Sequence, residues 1–527
     1  MIEKMQNKLI FIILFICICI FAFMDYRYLD VEFLGATMGD EMPQFLQLQK
    51  MYEGIIELNI KKFFAFEFYN YGFLYYLLNL IATLPFQITK NYELAIYAPR
   101  LLNALFSVIN LFMIYKISLK FLDFKKSIMM VLIFISMSGF WNFGYAFKPD
   151  VFQAFFILLT IYFLIKDRFK LEKHFIFAFI SLGAGVGVAK FQALMFLPLI
   201  YSYILVCSYK NKIQCIKQIL ISTISIIAIW IITNPYLLHK KGALAWWNMF
   251  YGNMQSNATN HGQYNHVSIA EKIQMIDFYY FNTFVFFALI ILCFGLFIHA
   301  FIKKQKTIFT PLAVGFLISL SYLLFLTNKA WGSYYFSTII SGVLIFLVLA
   351  KSKWGGVFLC LILIMQIGGN IMNNSYKNVF TKFNKFINYS ISDEIVSNLE
   401  KISPKHKTYN ILTDTPDFRY RELGLEPKNI YTTFGLLNKE TFVFEEWSKK
   451  SHTFAFIPKD FIILNKNSPW FKEAKNNKNK NLIESIDTLK ALQNSKFPYK
   501  KAIESKNFII FQNTDSIHSL IGDSNEE

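Results

Sequence analysis

The chain has 527 residues, of which 55% are apolar, 18% aromatic and 17% charged, with a net charge of +18. Soluble globular proteins carry about 25% charged residues, and the mean hydropathy here is +0.37; a water-soluble enzyme, a coiled coil and a disordered chain are excluded. Many of the apolar residues stand in blocks near the roughly 20 residues that carry a helix across a bilayer, the pattern of a multi-spanning membrane protein.

Twelve apolar blocks follow one another, near residues 8–24, 70–88, 98–115, 127–147, 151–165, 174–189, 191–208, 218–234, 276–302, 308–327, 332–350 and 354–372. No small-residue cleavage motif follows the first, which reads as a retained helix. Basic clusters stand at Lys4/Lys8, Lys116–Lys126, Lys166–Lys173, Lys210–Lys217, Lys303–Lys306 and Lys351/Lys353. Lys and Arg beside helix ends stay on the cytoplasmic side. From Lys116 onward, two blocks separate each cluster from the next, so all lie on one face. Between Lys8 and Lys116 there are three, and one of these must not cross. Block 70–88, broken by Asn79 and Pro85 and rich in tyrosine (Tyr71, Tyr75, Tyr76), suits a helix lying in the membrane surface. The expectation is eleven crossings with the N-terminus inside. The basic excess then marks topology, and no nucleic-acid partner is needed to explain it. Cys17, Cys19, Cys207, Cys215, Cys293 and Cys360 all lie in or beside apolar blocks and form no disulfide framework or zinc spacing.

Three stretches face outside: 25–97, 235–275 and everything after 372. The last alternates a helical pattern (Ser392–Lys401) with short apolar runs (Tyr409–Leu412, Phe461–Leu464, Phe508–Phe511), as a small α/β domain does. The expected architecture is an all-α polytopic membrane domain over 1–372, with about eleven transmembrane helices plus interfacial ones, and a periplasmic α/β domain over 373–527.

Two acidic turns stand outside the hydrocarbon. Asp40-Glu41 precedes the helical-looking Gln44–Ile60, and Asp150 follows Lys148-Pro149 in the turn between two spans. Either serves as an ordinary helix cap. On this topology both face the same side, where a pair of carboxylates supplies a general base and an orienting partner. Lys190, at the outer end of a span punctuated by Gly183, Gly185 and Gly187, is costly in lipid and suited to an anion. The glycines lack the strand–loop–helix setting of a nucleotide loop and suit close helix packing.

The order of these features resembles the GT-C-type membrane glycosyltransferases that use polyprenyl-phosphate sugars, in the branch of the lipid A aminoarabinose transferases and protein O-mannosyltransferases (glycosyltransferase family 39-like). The matching pieces are Gly39-Asp40-Glu41, the region after Phe66-Glu67-Phe68, Arg100 opening the next span, Lys148-Pro149-Asp150, Gly183 to Pro198 with Lys190, Thr233-Asn234-Pro235-Tyr236, and Gly332-Ser333-Tyr334-Tyr335. The chain departs at Glu67-Phe68-Tyr69-Asn70, where relatives often carry Glu-Lys-Pro or His-Pro-Pro, and at Ser333-Tyr334-Tyr335, where a His-Tyr pair is common. The resemblance implies a bacterial inner-membrane enzyme that moves a sugar from undecaprenyl phosphate to a lipid, glycan or protein acceptor on the periplasmic side. It implies Asp40 as base, with Asp150 and Glu41 beside it. Lys190, Lys148, Lys329, Arg100, Tyr334 and Tyr335 would bind lipid phosphate and sugar, and Glu67 with His261 would hold a divalent metal. A transporter or flippase of a lipid-linked or polar solute is the alternative; the nearly charge-free span centres and the lack of repeated halves speak against it. A polysaccharide ligase with a pyrophosphate-linked donor is a third option, separable by donor.

Overall fold

The computed structural model of the protein describes residues 2–26, 41–64, 71–188, 191–208, 211–259, 266–303, 306–376, 379, 390–402, 411–413, 430–432, 443–447, 454–458, 460–465, 499–505 and 507–513. Two compact units emerge: residues 1–27 with 47–385, and residues 28–46 with 386–527.

The first unit is helical. Its elements are α1 (Ile2–Tyr26), α2 (Glu41–Ile56, which begins in the other unit), α3 (Ile60–Phe64), α4 (Phe73–Ile88), α5 (Tyr92–Ser118) and α6 (Phe124–Ile135). Then come α7 (Ser138–Phe143), α8 (Asp150–Asp167), α9 (Lys173–Val188), α10 (Leu197–Ser208), α11 (Lys212–Ile232) and α12 (Lys240–Thr259). The series closes with α13 (Ile269–Tyr279), α14 (Thr283–Lys303), α15 (Phe309–Ser321), α16 (Gly332–Val343), α17 (Leu347–Ala350) and α18 (Gly355–Met372). Among the described residues, six stretches are long and apolar enough to cross a membrane: Leu94–Ser118, Lys212–Ile232, Thr283–Ala300, Phe309–Leu326, Gly332–Ala350 and Gly355–Met372. Lys8–Met24, Phe73–Ile88, Lys173–Val188 and Gln192–Ser208 are shorter apolar helices. The chain is a multi-pass membrane protein.

Short polar side chains start several helices by accepting an orphan backbone N–H. Asn91 accepts from Leu94 N at 3.1 Å, Asp123 from Lys126 N at 3.0 Å and Asn211 from Gln214 N at 3.0 Å. Ser268 and Glu271 form a reciprocal capping box at α13. Asn79 and Pro85 do not interrupt α4, which runs unbroken through both, with the Asn79 amide turned back onto the Tyr75 carbonyl at 2.8 Å.

Helix α8 lies at the centre, packed against α5, α9 and α16. Along α5, Asn103, Ser107 and Asn110 recur on one face and are all buried. Ser107 donates to the Gly144 carbonyl at 2.7 Å and Asn110 to the Val151 carbonyl at 3.0 Å. In an apolar solvent these bonds have no water to compete with them, so they fix the register of α8 on α5.

The second unit carries a five-stranded sheet of order β2-β1-β5-β7-β6 and a separate antiparallel hairpin β3–β4. The strands are β1 (Ile411–Thr413), β2 (Ile430–Thr432), β3 (Val443–Trp447), β4 (Phe454–Pro458), β5 (Phe461–Asn465), β6 (Tyr499–Glu504) and β7 (Phe508–Asn513). β1 runs parallel to β2 and β5, and β7 runs antiparallel to β5 and β6. Phe461, Ile462 and Ile463 in β5 and Phe508 to Phe511 in β7 are buried without alternation, as central strands covered on both faces are. Helix α19 (Ser390–Ile402) buries Ile395 and Leu399 and bonds back to the sheet through Asn507 and Glu394 at 3.2 Å. This is the small α/β domain that the apolar runs predict.

Candidate functional site

Asp150 opens α8, with Pro149 as the residue before it. Its side chain is buried, 3% exposed, in the first helical turn, where the backbone dipole favours a carboxylate. The Ser337 hydroxyl of α16 donates to the Asp150 carbonyl at 3.3 Å and ties the two helices at this level. Tyr280, at the end of α13, is fully buried, and its phenol donates to the Gly332 carbonyl at 2.5 Å. Burial, and after it the negative charge of Asp150, hold the Tyr280 phenol well above its ordinary pKa. Tyr280 is therefore a permanently protonated donor, and it fixes the start of α16 beside the carboxylate.

Lys148, two residues upstream, is half-buried and places its ammonium 5.8 Å from the centre of the Trp331 ring. Trp331 closes the loop that joins the last turn before Thr327 to α16. Two side chains pin this loop. The buried Lys272 ammonium donates to the Leu324 carbonyl at 2.7 Å and to the Thr327 carbonyl. The Asn328 amide accepts from Val267 N at 2.6 Å and donates to the Ala258 carbonyl at 3.3 Å. Burial lowers the Lys272 pKa, and the two carbonyls accept its hydrogen bonds in place of water. Lys329, in the middle of the loop, is 2% exposed.

A second node joins α4, α9 and α11. Helix α9 ends at Val188, whose carbonyl accepts from Gly72 N at 3.1 Å. The Asn234 carboxamide, fully buried, accepts from Phe73 N at 2.8 Å and donates to the Gly187 carbonyl at 3.1 Å and the Trp230 carbonyl at 2.8 Å. One side chain thus joins the start of α4 and the ends of α9 and α11. Glycine is required here: a Cβ at Gly72 would collide with the Gly187 carbonyl, and one at Gly187 with the Thr233 hydroxyl. This is the close helix packing expected of the 183–187 glycines.

The other expected residues fall into three groups. Tyr334 is half-buried at the start of α16, whereas Tyr335 is fully buried and directs its hydroxyl to the Leu323 carbonyl at 3.4 Å. Arg100 does not open its span; it lies inside α5, about two turns from the first residue, and is 2% exposed. Glu41 is buried and begins α2. Asp40, Glu67, Lys190 and His261 lie outside the described residues. Among the described residues, no cluster of three or more His, Cys, Asp or Glu side chains is placed to hold a metal. The structure therefore joins Asp150, Lys148 and the Lys329 loop through Tyr280, Trp331 and Ser337. Sequence reasoning gave none of these three a role. The one visible signal was Trp331 beside a charge at the edge of an apolar block.

Residues 76–239 match the family described as dolichyl-phosphate-mannose-protein mannosyltransferase. No curated protein matches the chain. Among solved structures, ArnT from Cupriavidus metallidurans, bound to undecaprenyl phosphate, is similar with a TM-score of 0.50 at 9% identity, covering 96% of this chain and 98% of that one. The Archaeoglobus fulgidus oligosaccharyltransferase in its apo form aligns with a TM-score of 0.44 at 12% identity, over 86% of this chain and 69% of that one. With its buried acidic helix start and its central α8, the chain has the fold of the GT-C type glycosyltransferases.

Proposed function

We propose that the protein is a bacterial inner-membrane glycosyltransferase. It takes a sugar from polyprenyl phosphate at the periplasmic face and transfers it, with inversion, to a hydroxyl of a lipid, glycan or protein acceptor. The proposal includes eleven crossings, an N-terminus in the cytoplasm and the α/β domain in the periplasm. The observation that carries it is Asp150, a carboxylate buried at a helix start beside a protonated tyrosine and a cation-bearing turn, in a chain with the GT-C fold.

The chemistry needs no nucleotide, because a phosphate is already the leaving group. The acceptor oxygen attacks C1 of the sugar, and the C1–O bond to phosphate breaks. The electron pair leaves with the polyprenyl phosphate, and the hydroxyl proton passes to Asp40. Asp150 orients the reacting groups. Lys148, Lys329 and Lys190 meet the charge that grows on the phosphate, where stabilisation acts on the transition state more than on the ground state. A divalent metal, with Glu67 and His261 as its candidate ligands, would supply further charge to the phosphate. The test is transfer of radiolabelled sugar from undecaprenyl phosphate by membranes carrying the wild-type protein or Asp40→Asn. The expected result is transfer by the wild type and a loss of about 10²–10⁴-fold in the variant. Normal transfer by the variant removes the base, and solute flux without labelled product removes the enzyme.

A further inference from the structure

A small, partly open cavity with room for about one water-sized group lies between α8, the segment 191–196, α15 and α16. It is lined by Gln153, Gln192, Ser319, Tyr334, Ser337 and Thr338 together with apolar groups, and by no charged side chain among the described residues. Gln153 is 1% exposed, and its amide nitrogen has no hydrogen-bond partner among the described residues. A buried N–H without an acceptor is among the costliest features a membrane interior can hold. Gln153 stands one turn beyond Asp150 on α8, and Ser337 connects the cavity wall to the Asp150 main chain.

The chemistry of this cavity selects its occupant. A phosphate would need a cation in the wall, and an ammonium would need an anion. A lipid chain or a nucleotide needs far more room than one water-sized group, since sites for such ligands span about 300–1,000 Å³. A neutral hydroxyl fits: it accepts from the Gln153 amide and can donate to the hydroxyls around it. We propose that the cavity takes one neutral hydroxyl of the donor sugar, with Gln153 as its hydrogen-bond donor and thus as a residue that sets donor specificity. This rests on the glycosyltransferase reading above and names the class of sugar: one with an uncharged hydroxyl, not an amino group, at the position that enters beside Asp150.

The test uses the full-length protein in lipid nanodiscs with a panel of undecaprenyl-phosphate hexoses, their singly deoxygenated analogues and an aminopentose donor. Gln153→Met, which keeps the length of the side chain and removes the N–H, is compared with the wild type. For the preferred hexose, donor KM should rise about tenfold, the loss of one hydrogen bond, while kcat changes less. Melting temperature should hold or rise, because an unmatched polar group has been removed. One deoxy analogue should show the same penalty with the wild type and no further penalty with Gln153→Met. An unchanged donor KM in the variant means that the cavity holds a structural water only. A rise confined to acceptor KM, or a preference for the aminopentose, also overturns the proposal. If the wild type transfers no sugar from any donor, the glycosyltransferase reading has failed, and that failure is seen without the variant.

Discussion

Helix α8 begins and ends with a buried aspartate, and the two ends do different work. Asp167, at the C-terminal end, is 2% exposed and accepts from Leu171 N at 2.8 Å, Glu172 N at 2.9 Å, Phe175 N at 3.3 Å and the Tyr203 hydroxyl at 2.8 Å. These bonds hold a turn in which Arg168, Phe169 and Leu171 all adopt left-handed backbone conformations, with φ of 51°, 62° and 59°, costly for residues with a Cβ. Its neighbours are backbone groups of its own turn and one phenol. Asp150, at the N-terminal end, stands instead beside Tyr280, which follows α13, and Ser337 of α16, two residues after Lys148 with its Trp331 contact. Burial alone does not mark a functional carboxylate. What singles out Asp150 as the candidate is that its surroundings converge from several helices, whereas those of Asp167 come mainly from one turn.

The sharpest way to break this comparison is to exchange the outcomes. Asp150→Asn should abolish transfer, with kcat down by about 10²–10⁴-fold and little change in melting temperature. Asp167→Ala should do the reverse. It strips several buried donors of their acceptor and should cost about 3 kcal/mol or more, read as a lower melting temperature in detergent with transfer per folded molecule retained. If Asp167→Ala silences a folded protein, the two ends are not distinct.

Asn234→Ala probes whether convergence of several helices on one side chain matters elsewhere too. It removes one acceptor and two donors that join α4, α9 and α11, at an expected cost of about 2 kcal/mol, measured by thermal unfolding. The smallest effect belongs to the exposed start of α13. Ser268→Ala should cost about 1 kcal/mol. Hydrogen bonds from Ser268 lower the Glu271 pKa below 4.5, so the cap's contribution is present above 4.5 and fades as pH falls through the folded value. Glu271→Gln should flatten that part of the stability–pH curve.

Much of the fold was legible because membranes impose simple rules. Blocks of apolar residues mark helices, and the runs Phe461–Leu464 and Phe508–Phe511 mark strands that the sheet bears out. Asp150 was visible as an acid after Lys-Pro in a short turn. Arg100 was misplaced to the start of its helix, because an arginine beside an apolar block reads as an anchor; its burial within α5 depends on neighbours that no local pattern shows. Block 70–88 seemed interrupted because Asn79 and Pro85 are polar or helix-breaking in isolation. Within α4, Asn79 satisfies its amide on its own helix.

By itself the sequence determined the environment of each segment, since hydropathy and charge are local sums over neighbouring residues, and these decide which stretches enter lipid. It also placed the acids at helix starts, where capping is a matter of a few positions. Only the tertiary structure decided that Tyr280 and Ser337 meet Asp150, that Trp331 meets Lys148, that Lys272 braces the Lys329 loop, and that Gln153, with an unmatched amide, lines a neutral cavity. Those meetings bring together residues up to nearly two hundred positions apart, and they follow from helix packing, which short-range pattern does not encode.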